Sequence, residues 1–189
     1  MSLFKSLALV SLAFLVACGG GEAPAPQEPA PKTEEPKPAE PEVQAPAAPA
    51  NAGPKGTNVI NPDDASAAAE LAIGTKGDEL AYDVAELSAK AGENIRIKFT
   101  NHASAAGMTH NVVVVKAADV DAVANAGLAA GDANGYVPND DAKVLGASAQ
   151  VQPGGDITLL LKGLEAGDYV IFCSFPGHYM TMQIKLKVA

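Results

Sequence analysis

The chain of 189 residues is poor in the side chains that most often carry chemistry: it has no tryptophan, three histidines, two cysteines and four methionines. Two cysteines rule out a disulfide-rich scaffold and a cysteine-built cluster. Three histidines, His102, His110 and His178, leave room for one metal centre and not for two. Basic residues are also scarce, 13 against 22 acidic, which removes the positive footprint that nucleic-acid binding requires. No apolar run is long enough to span a bilayer; the longest, residues 7–17, falls well short of the roughly 20 residues needed.

That short apolar run reads instead as the core of a secretion signal. Lys5 precedes it, and it ends Leu15-Val16-Ala17-Cys18, the pattern of a bacterial lipobox in which cleavage leaves a lipid-bearing N-terminal cysteine. The expectation is a signal peptide over 1–17 and lipidation at Cys18, which anchors the mature chain to a membrane outside the cytoplasm. Gly19 in place of Asp directs it to the outer membrane of a Gram-negative host; in another envelope it stays on the outer face of the cytoplasmic membrane. Residues 18–57 differ in composition: ten of the 14 prolines lie between Pro24 and Pro54 among Ala, Glu and Lys. Such a segment buries too little apolar surface to offset its ordering entropy and reads as a tether. Its reach is roughly 35 Å as a flexible coil and about 120 Å if fully extended as polyproline.

Residues 58–189 are enough for one domain with one core, and they carry 16 acidic and nine basic residues. A surface this acidic favours basic partners. The pattern is short strands between turn signals, expected at 70–75, 81–87, 94–100, 110–116, 144–150, 156–161, 169–173 and 182–188. Ile95, Ile97 and Phe99 alternate with Arg96 and Lys98, as Ile184, Leu186 and Val188 do with Lys185 and Lys187. Ala91-Gly92 and Pro153-Gly154-Gly155 read as turns, and the Ala-rich stretch 117–131 as a helix with Asp119 as a possible N-cap. The fold class is therefore all-β, an eight-stranded sandwich with a short helical insertion.

With Cys18 taken by lipid, Cys173 is left without a disulfide partner, and a lone thiol in an oxidising compartment calls for an occupant. Cys173, His178 and Met182 fall within ten residues on a loop turned by Pro176 and Gly177, and His110 opens the valine-rich strand expected to lie nearby. One borderline nitrogen donor type with two sulfur donors suits copper, which moves between Cu(I) and Cu(II).

The run Met108-Thr109-His110-Asn111, taken with Cys173-Ser174-Phe175-Pro176-Gly177-His178-Tyr179-Met180-Thr181-Met182, resembles the blue copper proteins of the azurin and auracyanin type. The resemblance covers about 130 residues and includes the helical insertion; its Cys-x4-His-x3-Met spacing is that of azurin. It implies a cupredoxin-like Greek-key sandwich holding one copper ion in a plane of His110, Cys173 and His178, with Met182 as a weak axial ligand. Met180 is the rival for that axial place. The resemblance also implies a distant carbonyl contact at Thr109, where the family has glycine. Asn111 would tie its strand to Ser174, and the backbone N–H groups of Asn111 and Phe175 would point at the thiolate. Met108, Phe175, Pro176, Gly177 and Tyr179 would form an apolar rim where partners dock around His178. His102 is the spare histidine, and the disulfide of azurin is missing.

The function implied is not enzymatic: a mononuclear type 1 copper carrier passing single electrons between redox proteins such as a cytochrome c, a cytochrome complex, an oxidase or a reductase. The alternative is a copper-binding and delivery lipoprotein with no carrier role. A copper oxidase or nitrite reductase needs more histidines, and a binuclear copper site needs a second cysteine in the loop. A Cys–His hydrolase lacks an orienting third group.

Overall fold

The computed structural model describes residues 53–61 and 69–189; the signal peptide, Cys18 and the tether as far as residue 52 lie outside the described residues. Eight strands follow in order: β1 (Ala69–Gly74), β2 (Glu86–Ala89), β3 (Ile95–Thr100), β4 (Val113–Lys116), β5 (Gly146–Ala147), β6 (Asp156–Leu161), β7 (Gly167–Phe172) and β8 (Gln183–Val188). One α-helix among the described residues, α1 (Val120–Ala130), interrupts them after β4. The strands form two sheets, β1-β3-β6 and β2-β8-β7-β4-β5. β1 runs parallel to β3 and β2 parallel to β8, while the other pairs are antiparallel.

Alternation puts Ile95, Ile97 and Phe99 of β3 and Ile184, Leu186 and Val188 of β8 into one core between the sheets. That core also takes in Tyr82, Cys173 and Met182. The valine run of β4 does not alternate between core and water, because both of its faces are covered. Val112 and Val114 face the inter-sheet core, whereas Val113 and Val115 face a second core beneath α1 with Val120, Val123, Val137 and Phe172. The helix lays Val120, Val123, Ala124 and Gly127 on that face, a spacing of three and four residues that makes one helical stripe. Its Gly127 is an obligatory small residue: a Cβ there would stand 2.2 Å from the carbonyl oxygen of Tyr136.

Some elements depart from their expected limits. The stretch expected as one strand over 81–87 is divided: Tyr82 bridges Thr75 beside the first sheet, and the chain then crosses to join β8 in the second from Glu86 onward. The strand expected over 144–150 narrows to two residues, its remainder held by single contacts such as Leu145 N–H to the Val114 carbonyl and Ser148 N–H to that of Val112, at 3.0 and 2.9 Å. Asp119 occupies the position before α1, but its side chain makes no capping hydrogen bond. A 3₁₀ turn over Ala117–Asp119 leads straight into the helix and leaves its backbone helical rather than extended, the geometry a cap needs. Residues 55–57, which composition groups with the tether, are joined to the domain. Lys55 N–H donates to the Ala147 carbonyl and Thr57 N–H to that of Val144, both at 3.0 Å, and Val59 bridges Leu161 in the other sheet.

Candidate metal centre

His110 lies just ahead of β4 and is held by a two-way bridge to Val151, at 3.1 and 2.7 Å. Asn101 secures that corner: its amide donates to the carbonyls of Met108 and Val151 at 2.8 and 2.9 Å. Cys173 follows β7 directly, and its N–H donates to the Met182 carbonyl at 3.2 Å, closing the neck of the loop between β7 and β8. Within the loop, Pro176 and Gly177 sit at the centre of a turn in which His178 N–H donates to the Phe175 carbonyl at 3.0 Å. Gly177 has φ +83, the left-handed value that a type II turn demands at this place and that glycine adopts freely. The His178 carbonyl then accepts from the N–H groups of Thr181 and Met182 at 3.0 and 2.9 Å, so the imidazole is fixed from both sides.

These local structures bring three donor atoms together. The Cys173 Sγ is 3.7 Å from the Nδ1 of His110 and 3.7 Å from that of His178, and the two nitrogens are 3.2 Å apart. The point equidistant from all three, worked from these distances, lies in their plane about 2.1 Å from each, where a first-row metal bonds imidazole nitrogen at about 2.0–2.1 Å and thiolate sulfur at about 2.3 Å. The arrangement thus fits one metal ion without rearrangement. His110 and Cys173 are fully buried, and His178 retains 7% exposure, so it is the ligand at the surface.

Burial shapes the metal-free chemistry. It pushes the Cys173 thiol up to about 11, against the opposing pull of hydrogen bonds from the backbone N–H groups of Asn111 and Phe175. Burial, and then the neighbouring His178, brings His110 down to about 4; burial alone lowers His178. Both imidazoles are therefore neutral at pH 7 with lone pairs available, and the thiol must surrender its proton to bind. The far nitrogen of His110, Nε2, is buried with no hydrogen-bond partner among the described residues.

Asn111 is the hub around the donors. Its side chain donates to Ser174 Oγ at 2.9 Å and to the Gly135 carbonyl at 3.3 Å, and accepts from Ser174 N–H at 2.9 Å. Phe175 stacks at a tilt on His178, with ring centres 4.8 Å apart, and meets the edge of Tyr136 at 5.4 Å. Tyr136 holds a left-handed backbone, φ 54, in the segment after α1. Asn101, Gly135 and Tyr136 are the parts of this cradle that motif spacing did not reveal. Asn101 alone had a local signal, a polar residue directly after the alternating strand β3.

Met182 is fully buried in the core beside Cys173, whereas Met180 is 69% exposed. Thr109 is buried and its hydroxyl donates to Gln152 Oε1 at 3.1 Å. Met108, Phe175, Pro176 and Tyr179 are partly exposed and Gly177 is exposed. His102 is exposed and stands outside the ligand group, next to Gly74 and Asp83.

Comparison with known proteins agrees with this donor arrangement. Auracyanin-A of Chloroflexus aurantiacus is 37% identical over 125 residues, 65% of this chain and 76% of its own. An azurin of Bordetella pertussis is 37% identical over 129 residues, 64% of this chain and 85% of its own. Among solved structures, auracyanin B superposes with a TM-score of 0.66 at 30% identity, over 72% of this chain and 98% of that one. The structure of auracyanin A, a "blue" copper protein, gives 0.59 at 38% identity over 64% and 98%. Residues 69–189 match the family described as copper binding proteins, plastocyanin/azurin family. Its azurin and auracyanin members are electron carriers and not enzymes, and His110, Cys173 and His178 suit the one copper ion they hold. The chain belongs to the plastocyanin/azurin family of copper-binding proteins.

Proposed function

We propose that this chain is a lipid-anchored electron carrier outside the cytoplasm, holding one copper ion and passing single electrons between membrane-associated redox proteins. The observation that carries this reading is the convergence of three buried donors to within 3.7 Å of one another, of which His178 alone reaches the surface. Bound copper supplies a one-electron exchange between Cu(I) and Cu(II), and the protein contributes a donor set that is already in place. Met182, buried beside Cys173, serves as the weak fourth donor, a choice supported by the exposure of its rival Met180. The Thr109 carbonyl lies next in sequence to His110 and is the candidate for a distant fifth contact.

The latch from Asn111 to Ser174, with the Asn111 and Phe175 N–H groups on the sulfur, keeps the loop from relaxing between oxidation states. Around His178, the partly exposed Met108, Phe175, Pro176 and Tyr179 and the exposed Gly177 form an apolar rim on which a cytochrome or an oxidase or reductase docks, bringing its own centre near the imidazole edge. The acidic balance of residues 58–189 favours a basic partner surface around that contact. Lipid on Cys18 and the proline-rich segment give the domain its anchor and its reach.

The purified protein, given Cu(II), should turn intensely blue through thiolate-to-copper charge transfer, and Cys173→Ser should stay colourless. A colourless wild type, or one that accepts only zinc, sinks the proposal. A carrier keeps its copper through repeated reduction and reoxidation before a competing Cu(I) chelator; steady loss to the chelator would favour delivery instead. Turnover with nitrite or oxygen should not rise above background.

A further inference from the structure

Tyr82 is a buried polar group to which the copper reading gives no task. It is 5% exposed, its ring meets the edge of Phe99 at 6.0 Å, and its hydroxyl donates to the carbonyl of Asn111 at 2.6 Å. Ladder pairing of β4 begins at Val113, so the Asn111 carbonyl lies ahead of the sheet and takes its donor from this side chain. Asn111 is thereby held at three points: carbonyl on Tyr82, side chain on Ser174, and backbone N–H on the Cys173 sulfur.

A buried tyrosine beside a redox centre can act as a radical relay or as a fixed support. A relay needs a base to take the phenolic proton when the ring is oxidised, and the partner here is an amide carbonyl, which is not one. Burial first, and Cys173 second, hold the phenol well above its ordinary pKa, so it remains a donor. The support role is the one left by this chemistry.

We propose that Tyr82 is a positioning residue of the metal centre: by anchoring the Asn111 carbonyl, its hydroxyl keeps the Asn111 N–H directed at the Cys173 sulfur. This rests on the reading of Cys173 as the thiolate ligand of copper. A hydrogen bond to a thiolate lowers the energy of the sulfur lone pair. Weakening it raises that level, which moves the sulfur-to-copper absorption to longer wavelength and lowers the reduction potential.

The test compares Tyr82→Phe with Tyr169→Phe in the copper-loaded protein. Tyr169 also donates its partly buried hydroxyl to a backbone carbonyl, that of Glu165 at 2.9 Å, but stands in β7 four residues before Cys173. Tyr82→Phe should red-shift the blue band, lower the potential, and speed hydrogen exchange at the Asn111 amide about tenfold in the Cu(I) form, the equivalent of one lost buried hydrogen bond. Tyr169→Phe should lower stability and leave all three unchanged. Equal behaviour of the two variants, or an unmoved band and potential in Tyr82→Phe, overturns the proposal. Should Tyr82→Phe fail to fold, 3-fluorotyrosine placed at position 82 gives a near-isosteric, stronger donor whose shifts must run the opposite way; unmoved signals there overturn it as well. A colourless wild type would remove the copper reading and this proposal together, whereas a blue wild type with unmoved signals removes this proposal alone.

Discussion

Replacing Asn111 by Ala tests whether the latch beneath the ligand loop is part of the metal site or only part of the core. The side chain is fully buried and accepts from Ser174 N–H at 2.9 Å. Its loss orphans that main-chain donor, while the Gly135 carbonyl keeps the Ser174 hydroxyl at 3.3 Å as a donor. One buried unsatisfied N–H costs about 1–3 kcal/mol. With the small cavity left by the amide, the metal-free protein should lose about 2–4 kcal/mol. The copper-loaded form should lose more. Supports of metal ligands are worth about 10- to 100-fold in affinity, and by linkage that adds about 1.4–2.7 kcal/mol at saturating metal. The assay is urea unfolding of both forms followed by circular dichroism, since no tryptophan is present to report. A slope of roughly 1.5 kcal/mol per molar urea turns the metal-free loss into a midpoint drop of about 1.3–2.7 M. Ser174→Ala, which retains the N–H to Asn111 contact, should cost less than Asn111→Ala. A metal-free loss below about 1 kcal/mol, or equal losses with and without copper, would refute the reasoning, the first for the hydrogen bond and the second for its link to the metal.

Gly127→Ala separates packing from propensity: helix preference alone favours alanine by about 1 kcal/mol, but a Cβ 2.2 Å from the Tyr136 carbonyl should destabilise the protein by about 1–3 kcal/mol in thermal unfolding. A rise in melting temperature would show that α1 is free to shift away from that segment. Metal uptake at pH 7 should release one proton per ion, from the Cys173 thiol at about 11, because the imidazoles are already neutral with His110 at about 4. Calorimetry in buffers of different ionisation enthalpy counts that proton, and a value of two would contradict the lowered imidazoles. The sign for metal-free stability is the reverse of a salt-bridged histidine: the unfolded chain binds protons that folded His110 resists, so stability should fall as pH drops from about 6.5 towards 4. A flat profile over that window would mean that burial does not suppress its charge.

What the sequence made legible follows from how local each signal is. Alternation in β3 and β8 is written into neighbouring residues, and the turn at Pro176-Gly177 needs only its own two side chains. Cys173 and His178 are five residues apart, so one turn brings them within 3.7 Å. His110 lies 63 residues from Cys173, and its place was readable only through the motif that accompanies it. The parts that escaped depend on partners distant in the chain. The crossing of the Tyr82 segment from one sheet to the other is set by a bridge to Thr75 on one side and by parallel pairing with β8 on the other, and no property of residues 81–87 announces it. Lys55 to Thr57 were concealed by the proline-rich composition before them, although their hydrogen bonds reach Val144 and Ala147. The same distinction divides the site. The loop donors stood out by residue type and spacing, and the full set was named through the family resemblance that its motifs carry. Their support could not be named so, because an Asn111 carbonyl accepts from whichever hydroxyl the fold delivers, and here that is Tyr82, 29 positions earlier. The ligand loop is therefore a local feature of this chain, whereas the place of His110 beside it and the hydroxyl that supports Asn111 are set by its topology.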